Sequence, residues 1–362
     1  MSPVVMLGNR VAAVLAATLF AFGLAGCGLG AGSAPTGIEL NVTRDFGARP
    51  VRSWSAPEAK GQETVMRLLM RNADVTTKYG GGFVQSVDGL SGGSSGGGPS
   101  DWFYYVNGVQ APQGAAATDV SPGDHVWWDL HDWSQTDSVP AVVGSFPEPF
   151  LNGVGGKRWP VRLECVSASS APCTTVAARL RALGVLAPQA GIGPGEEPET
   201  LRLLVGSWTA IAGVKTVRSI GAGPRSSGVY ARFSPDGKTL TVLDEQGAAA
   251  RTLPAGSGLV AATRSGEEAP VWVVTGTDEA GVKLAAEAFD RASLHDRFAL
   301  ALAPGGAELP VPESASKSAH ASVSSSTSVS ASSASASASS STSAPASSTS
   351  ASASSSTSAA EG

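Results

Sequence analysis

The chain has 362 residues, with 25 basic and 30 acidic side chains and a formal net charge of −5. The mild acidity and the lack of a dense Lys/Arg cluster exclude nucleic acid as a partner, because phosphate binding draws its affinity from clustered cations. An apolar share of 42% excludes a wholly disordered chain, and three cysteines are too few for a disulfide scaffold.

In chain order, Arg10 is the only charge before an apolar stretch from Val11 to Leu24, which ends in Leu24-Ala25-Gly26-Cys27. The stretch is short for a membrane helix, which needs about 20 apolar residues, and suits a signal-peptide core. The tetrad resembles the lipobox of bacterial lipoproteins, in which the cysteine becomes the lipidated first residue of the mature chain. Residues 1–27 are therefore expected to be a lipoprotein signal peptide, Cys27 the lipid-bearing residue, and 28–37 a short tether. The resemblance implies an extracytoplasmic protein held at the membrane by its N-terminal lipid.

Residues 38–137 read as an α+β module. Ile38-Glu-Leu-Asn-Val-Thr-Arg alternates in the period-2 pattern of a half-buried strand. Gly61 to Asn72 reads as a short amphipathic helix with Val65, Leu68, Leu69 and Asn72 on one side and Gln62 and Glu63 in its first turn. Gly80-Gly81-Gly82 is a tight loop rather than a phosphate cradle, since no helix N-terminus with a Lys/Ser pair follows it. Gly92-Gly-Ser94-Ser-Gly96 matches a nucleophile pattern by letter only, because it lies in a Gly/Ser loop and not on a strand-to-helix elbow. Asp101 to Val106 is an aromatic strand running into an Asn107-Gly108 hairpin turn, and His125 to Trp133 forms the last strand. The predicted order is one helix on a mixed sheet.

Three of these motifs, in order, resemble the transcobalamin-type C-terminal domain, a β-grasp-like module of bacterial surface proteins. They are Lys78-Tyr-Gly-Gly-Gly-Phe-Val-Gln-Ser-Val-Asp-Gly89, Asp101-Trp-Phe-Tyr-Tyr-Val-Asn-Gly108 and Gly123-Asp-His-Val-Trp-Trp-Asp-Leu-His-Asp-Trp133. The resemblance spans residues 38–133 and implies a bound corrinoid as ligand, although the α/α barrel that partners this module in cobalamin carriers is not encoded.

At period 2 one face of the last strand carries His125, Trp127, Asp129, His131 and Trp133. A metal site is excluded, since His125 and His131 would lie about 20 Å apart along one strand while zinc ligands sit about 2 Å from the ion. Two readings remain. Trp102, Tyr104, Trp127, His131 and Trp133 form a stacking platform for a planar ligand or sugar, or the aromatics pack against the linker or the second module.

The Pro/Gly-rich residues 138–156 are expected to be an interdomain linker. Residues 157–304 read as a separate α/β module with a mixed sheet, its apolar strands alternating with helices at Thr174–Leu183, Trp208–Ile220 and Asp278–Ala292. Cys165 and Cys173 are expected to close a loop as a disulfide. Thr277 or Asp278 opens the last helix, either as an ordinary capped turn or as a receiver for an anion. Ser293, His295 and Asp296 are too close in sequence to form a triad. From residue 305 to 362 a disordered tail is expected; 25 of the 50 residues from Glu313 onward are serine.

These features point to a non-enzymatic, lipid-anchored ligand-binding protein without cofactor that hands a small molecule, a corrinoid by the resemblance, to a transporter. The alternative is an envelope-interaction protein binding a protein or glycan through its aromatic face.

Overall fold

The computed structural model describes residues 33–94, 98–193 and 197–314. The signal segment with Cys27 and the chain from residue 315 onward lie outside the described residues. The fold is α+β, with seven helices, two mixed sheets and two small antiparallel sheets among the described residues.

The first module begins with β1 (Glu39–Arg44), β2 (Arg49–Trp54), α1 (Val65–Asn72), β3 (Val75–Lys78), β4 (Phe83–Val87) and β5 (Leu90–Ser91). It ends with β6 (Ser100–Val106), β7 (Val109–Gln110) and β8 (His125–Asp132). Five strands form a sheet in the order β2-β1-β8-β6-β7, in which only β1 and β8 run parallel. The mixed sheet with one covering helix matches the sequence expectation.

Helix α1 starts one residue after Thr64, whose hydroxyl accepts from the Arg67 N–H. Glu63 therefore precedes the helix instead of sitting in its first turn. It is buried and accepts from Arg71 Nε at 2.8 Å and from the Lys60 N–H at 2.9 Å. Val65, Leu68 and Leu69 meet Leu40, Val42, Val126 and Trp128 on one sheet face. At the β6–β7 hairpin, Asn107 and Gly108 both have positive φ (54° and 76°), the backbone of a two-residue I′ turn.

The second module comprises β9 (Val161–Cys165), α2 (Ala171–Ala182), β10 (Gln189–Gly191), β11 (Leu201–Ser207), α3 (Trp208–Ile211), α4 (Lys215–Ala222) and α5 (Pro224–Ser227). There follow β12 (Ala231–Phe233), β13 (Leu240–Leu243), β14 (Ala249–Leu253), β15 (Gly258–Thr263) and β16 (Val271–Gly276). Last come α6 (Glu279–Glu287), α7 (Arg291–Leu294), β17 (Ala299–Leu302) and β18 (Glu308–Val311). Seven strands run in the order β10-β9-β11-β16-β15-β17-β18, parallel as far as β16 and antiparallel beyond it. The helix expected over 208–220 is broken into α3 and α4 around Gly213, and the one expected over 278–292 ends at Glu287.

The region expected as tail contributes a strand before the described residues end. Strand β18 pairs with β17, and Glu313 beyond it forms an ion pair with Arg251 at 2.7 Å. Apolar Leu309 and Val311 account for this extension: they pack into the core, which the Ser/Ala composition further on cannot do.

The linker expectation is also revised. Val139, Ala141, Val142, Val143, Phe146 and Phe150 are buried. The Val142 N–H donates to Gly108 O (2.8 Å) in the first module, and the Val143 N–H donates to Phe298 O (3.2 Å) in the second. Proline and glycine here mark an irregular backbone, while the apolar residues between them make it a buried strap.

One hydrophobic core runs through both modules. Phe46, Tyr105 and Trp127 from the first join Tyr230, Phe298 and Val311 from the second. The Phe298 ring lies 5.1 Å from Phe46, 5.5 Å from Tyr105 and 5.3 Å from Trp127, edge-on to each. Asn41 and Thr43, the polar side of β1, are consequently buried beneath the second module rather than exposed.

Candidate functional site

The β6–β8 register divides the five residues read as a stacking platform. Trp102 lies opposite Leu130 and Tyr104 opposite Trp128, on the α1 side of the sheet. Trp127 and His131 point to the other side, against the second module. Trp133 follows the end of β8, is 36% exposed and donates its indole N–H to Asp101. Trp102, Trp127 and His131 are all buried, and the Tyr104 hydroxyl is tied to Thr118 at 2.8 Å. The five do not form one open surface. The other reading, aromatics packed on the second module, describes where Trp127 and His131 lie.

That packed face is held by a dense polar network. The Asp129 carboxylate accepts from the Phe46 N–H (3.1 Å), the Gly47 N–H (2.9 Å), the Thr43 hydroxyl and His131 Nδ1 (2.9 Å). Trp127 Nε1–H donates to the Thr43 oxygen at 2.7 Å, and the His131 ring lies between Phe46 and Phe103, with centroids at 4.5 and 4.4 Å. Every strong acceptor site of the carboxylate is used, so this network fixes the β1–β2 turn and leaves nothing for a ligand. Gly47 is required in that turn: its φ is +80°, and a Cβ there would fall 2.0 Å from Asp296 O.

An open site lies in the second module, at the carboxyl ends of β9, β11 and β16. Along these strands side chains alternate between two cores. Leu203, Val205, Trp272 and Val274 face α2 and α6, while Leu204 and Val273 face Val217 and Ile220 of α4. The connections after β9 and β11 thus leave on opposite faces of the sheet, and such a switch opens a crevice beyond the strand ends. It has a volume of about 480 Å³.

The three strands deliver Ser167, Ser207 and Thr277 to the crevice, and Ser170, Asp278 and Glu279 add the helix starts. The Cys165–Cys173 disulfide (Cα–Cα 6.1 Å) ties the end of β9 to the first turn of α2 beside it. Asp278 caps α6, accepting from the Gly281 N–H at 2.9 Å and from the Gly256 N–H at 2.8 Å. With two carboxylates at this helix start, an anion would meet like charge, so the capped-turn reading holds. The crevice offers hydroxyls, carboxylates and the apolar Val166 and Val282, which suits a neutral or cationic hydroxylated molecule.

Ser167, Ser170, Ser207 and Glu279 were not singled out from the sequence. The available signal was a Ser or Thr at or just past the end of each of three apolar strands: Cys165-Val-Ser167, Gly206-Ser207 and Gly276-Thr277. Among the described residues no group of three or more His, Cys, Asp and Glu side chains is placed to hold a metal ion. No helix among them is long and apolar enough to cross a membrane.

A mixed five-stranded sheet under one helix defines the first module, and its segment from just before α1 to the end of β8 corresponds to a known family. Residues 62–132 match the family described as a domain of unknown function, DUF4430. The match leaves out β1 and β2. No curated protein and no solved structure matches the chain significantly.

Proposed function

We propose that the protein is an extracytoplasmic binding protein, tethered to the membrane through a lipid on Cys27. It captures a small neutral or cationic hydroxylated molecule in the crevice of the second module and presents it to a transporter. The crevice carries this reading. Its volume of about 480 Å³ falls within the roughly 300–1,000 Å³ of small-molecule sites, and it occupies the switch point where open α/β sheets bind ligands. The lipobox-like Leu24-Ala-Gly-Cys27 supports the tether, and the Cys165–Cys173 disulfide supports an oxidising compartment.

The family match and the helix-on-sheet arrangement support the transcobalamin-like reading of the first module. A corrinoid held on Trp127 would have to displace Phe298, so capture is assigned to the crevice instead. The test is calorimetry of the mature protein against neutral sugars, amino sugars, polyols and cyanocobalamin. A sugar or polyol should bind saturably and lose that binding in Ser207→Trp, which fills the crevice. Saturable binding of cyanocobalamin alone, or no binding of any class, would overturn the assignment. Replacing Cys27 by serine should release the protein from the membrane fraction; retention there would remove the tether from the proposal.

A further inference from the structure

A second cavity, of about 210 Å³, lies where the start of β8 meets the buried strap. His125, the first residue of β8, pairs in register with Glu39 of β1 and forms one wall. The opposite wall is the strap from Gly144 to Asn152, with Ser145 and Glu148. The rim is Glu39, Arg291 and His295.

Three polar side chains on these walls are almost fully buried: His125 (4% exposed), Ser145 (3%) and Glu148 (5%). Neither His125 Nε2 nor Ser145 Oγ has a protein hydrogen-bond partner. A buried polar atom left without a partner is costly, so two on one cavity call for a molecule that can bond to both. A single water needs only about 10–15 Å³, and the 210 Å³ here admits an organic molecule.

Charge defines its class. Around the cavity, Arg291 is paired with Glu39 at 2.6 Å and His295 with Asp296 at 3.2 Å, so both local cations are matched. Asp124, just before His125, is buried and accepts from Asn107 and from the Ser121 N–H, both at 2.7 Å. Glu148 accepts from the Asn152 backbone N–H (2.9 Å) and side-chain amide (2.6 Å), and among the described residues no cationic side chain pairs with it. Asp124 has no counter-ion either, but of the two acids only Glu148 lines the cavity, and isolated buried charge is costly.

We infer that this cavity binds the ammonium head of a small organic amine, with Glu148 as counter-ion and His125 Nε2 and Ser145 Oγ as further acceptors. An ammonium group has three donors and no acceptor, which complements three buried acceptors. Burial pushes the Glu148 carboxyl up to about 7, reinforced by Asp124 and opposed by Asn152. Burial also pulls His125 down to about 4, which keeps its ring neutral and able to accept. A positive guest would restore the Glu148 charge, so affinity for it rises as the pH passes upward through about 7. His295, raised by Asp296, works in the same direction, since its deprotonation also removes positive charge from the rim.

The test uses the mature protein titrated calorimetrically with ethanolamine, with ethylene glycol as the neutral control. Ethanolamine should bind saturably above pH 7 and at least about tenfold more weakly well below it. Glu148→Gln keeps the shape and one acceptor for Asn152, and should weaken ethanolamine about tenfold while flattening most of the pH dependence. Equal binding of ethylene glycol would mean a site for water or polyols and would overturn the inference. Undiminished affinity in Glu148→Gln, or no saturation by about 10 mM ethanolamine, would do the same. The pH arm on the unmodified protein decides the matter even if the variant folds poorly. Both titrations are repeated in Ser207→Trp, which fills the crevice of the second module, so that only binding that persists there counts for this cavity and the failure of either reading leaves the other standing.

Discussion

The two ends of β8 place histidines on the same side of one strand and treat them in opposite ways. At the far end His131 is sandwiched between rings and bonded to an Asp129 whose other acceptor sites are taken by Thr43, Phe46 and Gly47. At the near end His125 is as deeply buried, yet its Nε2 faces no protein partner, and Ser145 across the cavity has none for its hydroxyl. Burial alone therefore does not separate a structural polar group from a binding one. Completeness of partnering does: a closed network holds the fold, and an open one has capacity for a guest.

The largest expected effect comes from the hub that closes the far end. Phe298→Ala removes the ring that Phe46, Tyr105, Trp127 and His131 share, and should cost about 3–5 kcal/mol in urea unfolding. A loss below about 1 kcal/mol would mean that the two modules do not depend on this contact. Next, Asp129→Ala strips a buried acceptor from four donors and should destabilise by at least about 1–3 kcal/mol. A neutral outcome would erase the contrast between the two ends.

At the near end, removing the unpaired charge should help the fold. The folded Glu148 holds its proton up to about 7, well above the 4.5 of a free carboxyl, so its contribution is fully present below pH 4.5 and is lost as the pH rises toward 7. Without ligand, Glu148→Gln should then raise stability above pH 7 by on the order of 1–2 kcal/mol and flatten the decline between 4.5 and 7. His125 slopes the other way, losing stability as pH falls from 6.5 to about 4, and Glu148→Gln leaves that slope in place. The smallest effect is expected of Ser145→Ala, neutral to slightly stabilising, since it removes a buried hydroxyl that has no partner to lose. A large loss there would show that the near end is closed after all.

Much of the first module was legible because its signals are local. Alternation gave β1, the Asn107-Gly108 pair gave the hairpin, and Val65, Leu68 and Leu69 gave the helix. What was not legible is which face of β8 meets protein. Period 2 groups His125, Trp127, Asp129 and His131 correctly, but whether a partner covers them depends on Phe298, more than 160 residues away. The strap misled for a related reason: Val139 to Phe150 are apolar residues spaced by Pro and Gly, and composition reports backbone irregularity without reporting burial. The crevice hydroxyls were hidden because single Ser and Thr residues after strands are common, and only the parallel order β9-β11-β16 brings them together. Lipidation at Cys27 concerns residues outside those described.

The place of β1 in its sheet bears on how the first module can be handled as a unit. It lies between β2 and β8 and supplies the only neighbour β8 has on that side. A fragment cut at the boundaries of the family match, 62–132, would keep the helix and the aromatic hairpin but lose both of these strands. Strand β8 would then become a long edge, with Val126 and Trp128 flanking a row of unpaired backbone groups, the arrangement that recruits foreign strands. The recognisable segment is thus smaller than the folding unit, and a recombinant version that is to stay monomeric has to begin upstream of Glu39.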